Sequence, residues 1–303
     1  MKQIALAFIF FGVVFAAAFH FGQLRKGQTF SSSSRVSSTL DHGFRATEYP
    51  LQQKSFVVVV IGRDNGAVVE KTLRSIFSQV YPHYRLVYVD DGSSDGSFSF
   101  VKDLVESSGM KERVLLVRGE EPVGQLAHLC SVLREAADDE IVVWVEGKDW
   151  LAHEWVLGRL NSYYADPDLW MTYGQYREYP DYRLGSSAPF QYEEWKQKGF
   201  RGHAFVASHL KTFYAGLFKC IDPADFSYQG AFLSAGSELA VMTPLLELAR
   251  DHFQFIPEIL YIANKQMPPL EDGEMLMKTQ RYIRSLASYD PLLYFMQNEA
   301  SCE

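Results

Sequence analysis

The sequence predicts an α/β fold built on a mostly parallel sheet flanked by helices, and three observations carry that prediction. Short apolar runs alternate with segments of helical periodicity, the runs are rich in β-branched residues, and several end abruptly in Gly, Asp, Asn, Ser or Glu. A strand that reads as continuous Val and Ile is one covered on both faces, which is the environment of a parallel sheet between helical layers.

Taken in order, Phe56 to Ile61 is the first such run, and Val68 through Leu73, Ile76 and Phe77 carries a helical stripe behind it. Leu86 to Val89 predicts a second strand and Ser97 to Val105 a second helix. Val114 to Val117 then reads as strand, Gly124 to Ala136 as helix and Ile141 to Val145 as strand. Strand, helix, strand at this spacing implies right-handed βαβ crossovers. In such sheets ligands bind beyond the carboxyl ends of the strands. The polar clusters Gly62 to Asn65, Asp90 to Asp95 and Glu146 to Asp149 therefore become site candidates, because all three should open on one sheet edge. Turn chemistry alone also favours these residue types.

Composition narrows the function classes. A net charge of −8 with no basic run after Lys26 argues against a nucleic-acid groove, since neutralising phosphates needs a basic face. Aromatic residues reach 15%, which suits a large packed core or stacking on rings. Cys130, Cys220 and Cys302 lie far apart without a CxxC pair, so neither a zinc site nor a disulfide scaffold is expected, and buried inert thiols are the default. Near the N-terminus, the apolar run Ile4 to Phe21 lies between Lys2 and Arg25–Lys26, the pattern of a signal peptide or signal anchor. The organisation expected is that segment over residues 1–22, a serine-rich polar tether over 23–53, and a folded region in two halves, 54–180 and 181–303. Export or membrane association follows from the first segment.

Three stretches then carry a family resemblance: FVVVVIGRDN, EKTLRSIFSQVYPHYRLVYVDDGSSDGS and DDEIVVWVEGKDWLAHEWVLGRL. Together they resemble a family 2 glycosyltransferase of GT-A fold. The resemblance implies a nucleotide-sugar-binding half first and a smaller acceptor-side region second. YVDDGSSDGS is similar to the turn that contacts the nucleotide, which implies Asp90 and Asp91 as donor-binding residues, and the resemblance adds Asp64 from FVVVVIGRDN. An aspartate after a strand can accept from a uracil or guanine ring N–H or a ribose hydroxyl, so a UDP or GDP sugar is the implied donor. Ser93, Ser94 and Asp95 also read as caps of the following helix.

EGKDW falls where the family carries its DxD region, commonly DGDDW. The resemblance implies Mg²⁺ or Mn²⁺ bridging the donor diphosphate, held by Glu146 and Asp149. Lys148 departs from the pattern, because an ammonium cannot ligate a cation. Three readings stay open: a metal on Glu146 and Asp149, a metal replaced by Lys148, or a catalytically inactive relative that binds saccharide or a partner protein.

SAGSELAVMTPLLELARDHFQFIPEILYIAN resembles the acceptor-side helix, where Glu238 stands at the position of a general base in an inverting transfer and Ser237 at that of a cap. The bland reading of Glu238 is an acid interacting with the helix dipole. Glu247, further along, reads as a solvated edge position. Lys211 and His209 are candidate diphosphate contacts. Tyr173, Tyr176 and Trp195 suit either sugar stacking or packing against the sheet. The acceptor implied is a saccharide or lipid-linked molecule of a cell envelope.

Overall fold

The computed structural model describes residues 52–191, 199–267 and 273–292. The N-terminal apolar run, the serine tract, Trp195 and Cys302 lie outside them. Among the described residues no helix is long and apolar enough to cross a membrane.

The alternation read from the sequence becomes β1 (Phe56–Gly62), α1 (Val68–Phe77), β2 (Tyr84–Asp90), α2 (Ser97–Ser108), β3 (Val114–Arg118), α3 (Gln125–Arg134) and β4 (Ile141–Glu146). Every residue of β1 is buried, as a strand with both faces covered requires. β2 begins two residues earlier than the apolar run suggests. Tyr84 and Arg85 pair in parallel register with Phe56 and Val57, and Arg85 spends its charge on Glu140 at 2.8 Å.

After β4 come β5 (Trp150–Leu151), α4 (Val156–Tyr163), β6 (Met171–Tyr179), β7 (Arg183–Leu184), β8 (Lys211–Tyr214) and α5 (Ala215–Lys219). A short hairpin of β9 (Ser227–Tyr228) and β10 (Ala231–Phe232) leads into α6 (Ser237–Ala249), β11 (Phe253–Asn264) and α7 (Gly273–Ser285). The main sheet runs β3-β2-β1-β4-β8-β6-β11-β5, with β7 on β6. β1 to β4 are mutually parallel, and β8 joins β4 antiparallel, so one sheet continues from the first half into the second. Because the chain moves outward from β1 to β3 and then returns to β4 on the other side of β1, the topological switch point lies between β1 and β4.

α6 is buried along nearly its whole length, the pattern of a core helix rather than a surface one. This overturns the reading of Glu247 as a solvated edge. Glu247 is buried and accepts from Arg201 Nη2 at 2.8 Å and from the Tyr289 N–H at 3.1 Å. The partner lies 46 residues away in sequence, beyond any local pattern.

Candidate active site

At the switch point, β1 ends in Gly62 and β4 is followed directly by Gly147. A Cβ on Gly147 would lie 2.7 Å from Gly62 Cα and 2.3 Å from Asn65 Nδ2. Only glycine permits this approach, and the Asn65 side chain fills the remaining gap. The Asn65 amide nitrogen is buried without a hydrogen-bond partner among the described residues.

The two aspartates at the end of β2 separate here. Asp91 turns inward and accepts from His128 Nε2 at 2.7 Å, Val123 N at 2.7 Å and Gly124 N at 3.2 Å. Burial works to raise its carboxyl, but these donors outweigh it and hold it below the usual range. It thus ties the start of α3 to the turn. Asp90 accepts from Ser93 N at 2.9 Å through Oδ1, while its Oδ2 is buried with no partner among the described residues.

The serines beside them are not helix caps. α2 starts after Gly96, a left-handed residue with no side-chain cap bond. Ser93 Oγ accepts from Asp64 N at 2.9 Å, Asp64 Oδ1 accepts from Ser94 N at 2.8 Å, and Asp95 Oδ2 accepts from Gly66 N at 2.8 Å. These residues lace the β1–α1 loop to the β2–α2 loop, because parallel strands side by side bring the two loops within reach. Asp95 keeps one contact with the helix, accepting from Ser97 N through Oδ1 at 2.9 Å.

The third cluster follows β4. Asp149 is buried, accepting from Tyr261 Oη at 2.8 Å and from Asn264 N at 2.7 Å. Burial, then the neighbouring Glu146, pushes its carboxyl up to about 7. Glu146 remains partly exposed, with Lys148 Nζ 3.6 Å from its Oε2 and His209 Nε2 3.9 Å from its Oε1. Lys148 therefore faces the acid cluster. His209 stacks on Tyr261 at 4.5 Å and meets Tyr176 edge-on at 5.1 Å. Burial, then the Lys211 ammonium, lowers its imidazole well below the usual range. Glu146, Asp149 and His209 each offer a ligand atom, all within 4.8 Å of one another. His209 as a member of this cluster escaped the sequence, where it stands 60 residues from Asp149.

Glu238 opens the first turn of α6 beside the same imidazole, its Oε1 3.5 Å from His209 Nδ1. Oε1 also accepts from Lys211 Nζ. Ser237 is not the cap, which is Gly236. Instead its hydroxyl donates to Gln125 Oε1 at 2.7 Å, joining α6 to α3. Packing claims the tyrosines: Tyr173 donates to Ala188 O at 3.0 Å within a cluster with Phe190 and Phe255, and Tyr176 lies against His209.

A family model described as glycosyl transferase family 2 matches residues 55–221, more than half of the sequence. The chain belongs to glycosyltransferase family 2. TarS of S. aureus, residues 1–349 in complex with UDP-GlcNAc, matches at TM-score 0.55 and 17% identity, over 76% of this chain and 65% of that one. Longer TarS matches at 0.53 and 16%, over 76% and 39%. GalNAc-T7 with UDP, GalNAc and Mn²⁺ matches at 0.52 and 13%, over 75% and 48%. At these identities the likeness shows the GT-A glycosyltransferase fold. The family member described here spans from about two fifths to under two thirds of these proteins' length. No curated protein sequence matches it.

Proposed function

We propose that this family 2 member is an active, inverting glycosyltransferase that moves a hexose or related sugar from a UDP or GDP sugar to a saccharide or lipid-linked acceptor. The observation that carries it is the position of His209. One ring nitrogen lies 3.9 Å from Glu146 and the other 3.5 Å from Glu238. The acid cluster expected at the donor diphosphate and the expected base thus stand one imidazole apart, which supports a sugar carbon placed between them.

In this reading the Asp90 oxygen without a partner accepts the ring N–H of the nucleotide base. Glu238 takes the proton of the acceptor hydroxyl as that oxygen bonds to the anomeric carbon. The bond from that carbon to the diphosphate breaks with its electron pair going to the nucleoside diphosphate, and attack from the opposite face inverts the centre. The cluster fits a divalent cation: two carboxylates and an imidazole suit Mn²⁺ better than Mg²⁺, which favours an all-oxygen shell. Glu146, Asp149 and His209 would hold it, and it would offset the charge that gathers on the leaving diphosphate. Complexes of TarS with UDP-GlcNAc and of GalNAc-T7 with UDP and Mn²⁺ support this choice of ligands. Membrane attachment through the Ile4 to Phe21 run belongs to the same reading, and deleting residues 1–53 should move the protein from the membrane to the soluble fraction.

Thermal shift with UDP, GDP and UDP-GlcNAc, each with and without Mn²⁺, tests the proposal, because a ligand that binds only the native state raises its melting temperature. A shift that disappears in Asp90→Ala supports it. A folded protein that no nucleotide stabilises under any condition would sink it and favour a non-catalytic binding role, the reading Lys148 keeps in view.

A further inference from the structure

Lys211 sits deeper than a residue meant to meet a ligand. Its partner across the β4–β8 ladder is Trp144, its side chain is fully buried, and its ammonium lies 4.3 Å from the Trp144 ring centroid. A buried ammonium needs close partners to offset its desolvation. Here these are Oε1 of Glu238 and, at 3.2 Å, Nδ1 of His209. Lys211 stands on a central strand, whereas Glu238 stands at the first turn of a helix with its side chain 28% exposed. A glutamate there has three side-chain torsions, and the fixed ammonium removes most of that freedom. Among the described residues no hydrogen bond reaches Oε2.

We propose that Lys211 is a positioning residue of the acceptor side: by holding Oε1 of Glu238 it presents Oε2 to the acceptor hydroxyl, and it does not contact the donor diphosphate. The proposal rests on Glu238 as the base. Proton transfer is sensitive to placement, since a displacement of about 1 Å can cost about 10²-fold in rate, and a group anchored from a strand holds its geometry better than one left to solvent. His209 Nδ1 lies 3.2 Å from the same ammonium and 3.5 Å from Oε1, so the ring that borders the acid cluster packs against the Lys211–Glu238 pair.

The test has two arms. Crystal structures of Lys211→Met and Lys211→Arg show where Glu238 goes. The proposal expects its carboxylate to leave His209 in Lys211→Met and to stay near it in Lys211→Arg. A Glu238 that keeps its place in Lys211→Met overturns the proposal, whatever the activity. The second arm measures UDP affinity and UDP release from UDP-GlcNAc in both Lys211 variants, in Glu238→Gln and in the double variant Lys211→Met/Glu238→Gln. Turnover at saturating donor should fall about tenfold or more in Lys211→Met with UDP affinity within about twofold of wild type, and Lys211→Arg should recover part of it. Lys211→Met should add little to Glu238→Gln, because it acts through Glu238. Multiplied losses in the double variant, or tenfold weaker UDP binding with turnover intact, overturn the positioning role. Normal turnover in Glu238→Gln removes the base assignment itself, while the crystal arm still reports what holds the carboxylate.

Discussion

Asp90 and Asp91 are chemically identical neighbours whose surroundings give them different work. The Asp91 carboxylate is consumed by three donors from the α3 side, whereas Asp90 keeps one oxygen without a partner. Asp90→Ala should therefore weaken UDP or GDP binding by roughly tenfold or more, the worth of a charge-assisted hydrogen bond of about 1.5–3 kcal/mol, and lower stability by no more than about 1 kcal/mol, the worth of the lost Ser93 N–H bond. Asp91→Asn should do the reverse at neutral pH, lowering stability by about 1–3 kcal/mol as buried donors lose their acceptor. Its effect should depend on pH. A carboxyl whose folded pKa is depressed contributes stability that is present above the unfolded value of about 3.9 and is lost as pH falls through the lower folded value. Urea titrations of both proteins should show the gap closing as pH drops below about 4, and a gap that persists unchanged would mean the ionised bonds are not its source.

At the scale of elements, two packing contacts decide how rigidly the site is held. Gly147→Ala puts a methyl group against Gly62 Cα at 2.7 Å and the Asn65 amide at 2.3 Å. Backbone cannot retreat there without parting β1 from β4, so a loss of about 1–3 kcal/mol is expected by chemical denaturation, with weakened nucleotide binding beside it. Arg201 and Glu247 join the segment before β8 to α6, and Arg201 also donates to Ile283 O at 2.5 Å. Removing one member leaves a buried charge, so Arg201→Met should destabilise by about 3–5 kcal/mol, and adding Glu247→Leu should restore part of the loss. A double variant less stable than Arg201→Met would mean that Glu247 is held mainly by its other partners.

For the whole molecule, the proposed transfer turns on which charge would meet a donor diphosphate. With Lys148 already 3.6 Å from Glu146, the cluster begins partly neutralised, yet three ligand atoms still converge within 4.8 Å. Donor binding should fall on EDTA treatment and return with Mn²⁺, and His209→Ala should reduce that return by about tenfold or more, the typical effect of disturbing a metal shell. Lys148→Ala should then leave Mn²⁺-dependent binding in place. EDTA-resistant binding abolished by Lys148→Ala would assign the charge to the lysine instead.

What the sequence by itself determined was the layout: a β-branched run covered on both faces, the crossovers between such runs, and therefore the sheet edge where their polar ends gather. Those follow from local pattern and from the handedness of crossovers, both of which act over a few tens of residues. It also marked Asp90, Glu146, Asp149 and Glu238 as residues worth watching, through resemblance of short motifs. The tertiary structure alone decided which acid of the Asp90–Asp91 pair keeps an oxygen without a partner among the described residues and that Ser93 to Asp95 bind two loops rather than cap one helix. It also decided that Glu247 is buried and that His209 and Lys211 lie between the Glu146–Asp149 pair and Glu238. Each of these depends on a partner distant in the chain, 27 residues for Lys211 and Glu238 and 37 for Asp91 and His128. A charge or hydrogen-bond donor gets its role from the few ångströms around it, and sequence distance carries no information about that neighbourhood until the sheet has closed.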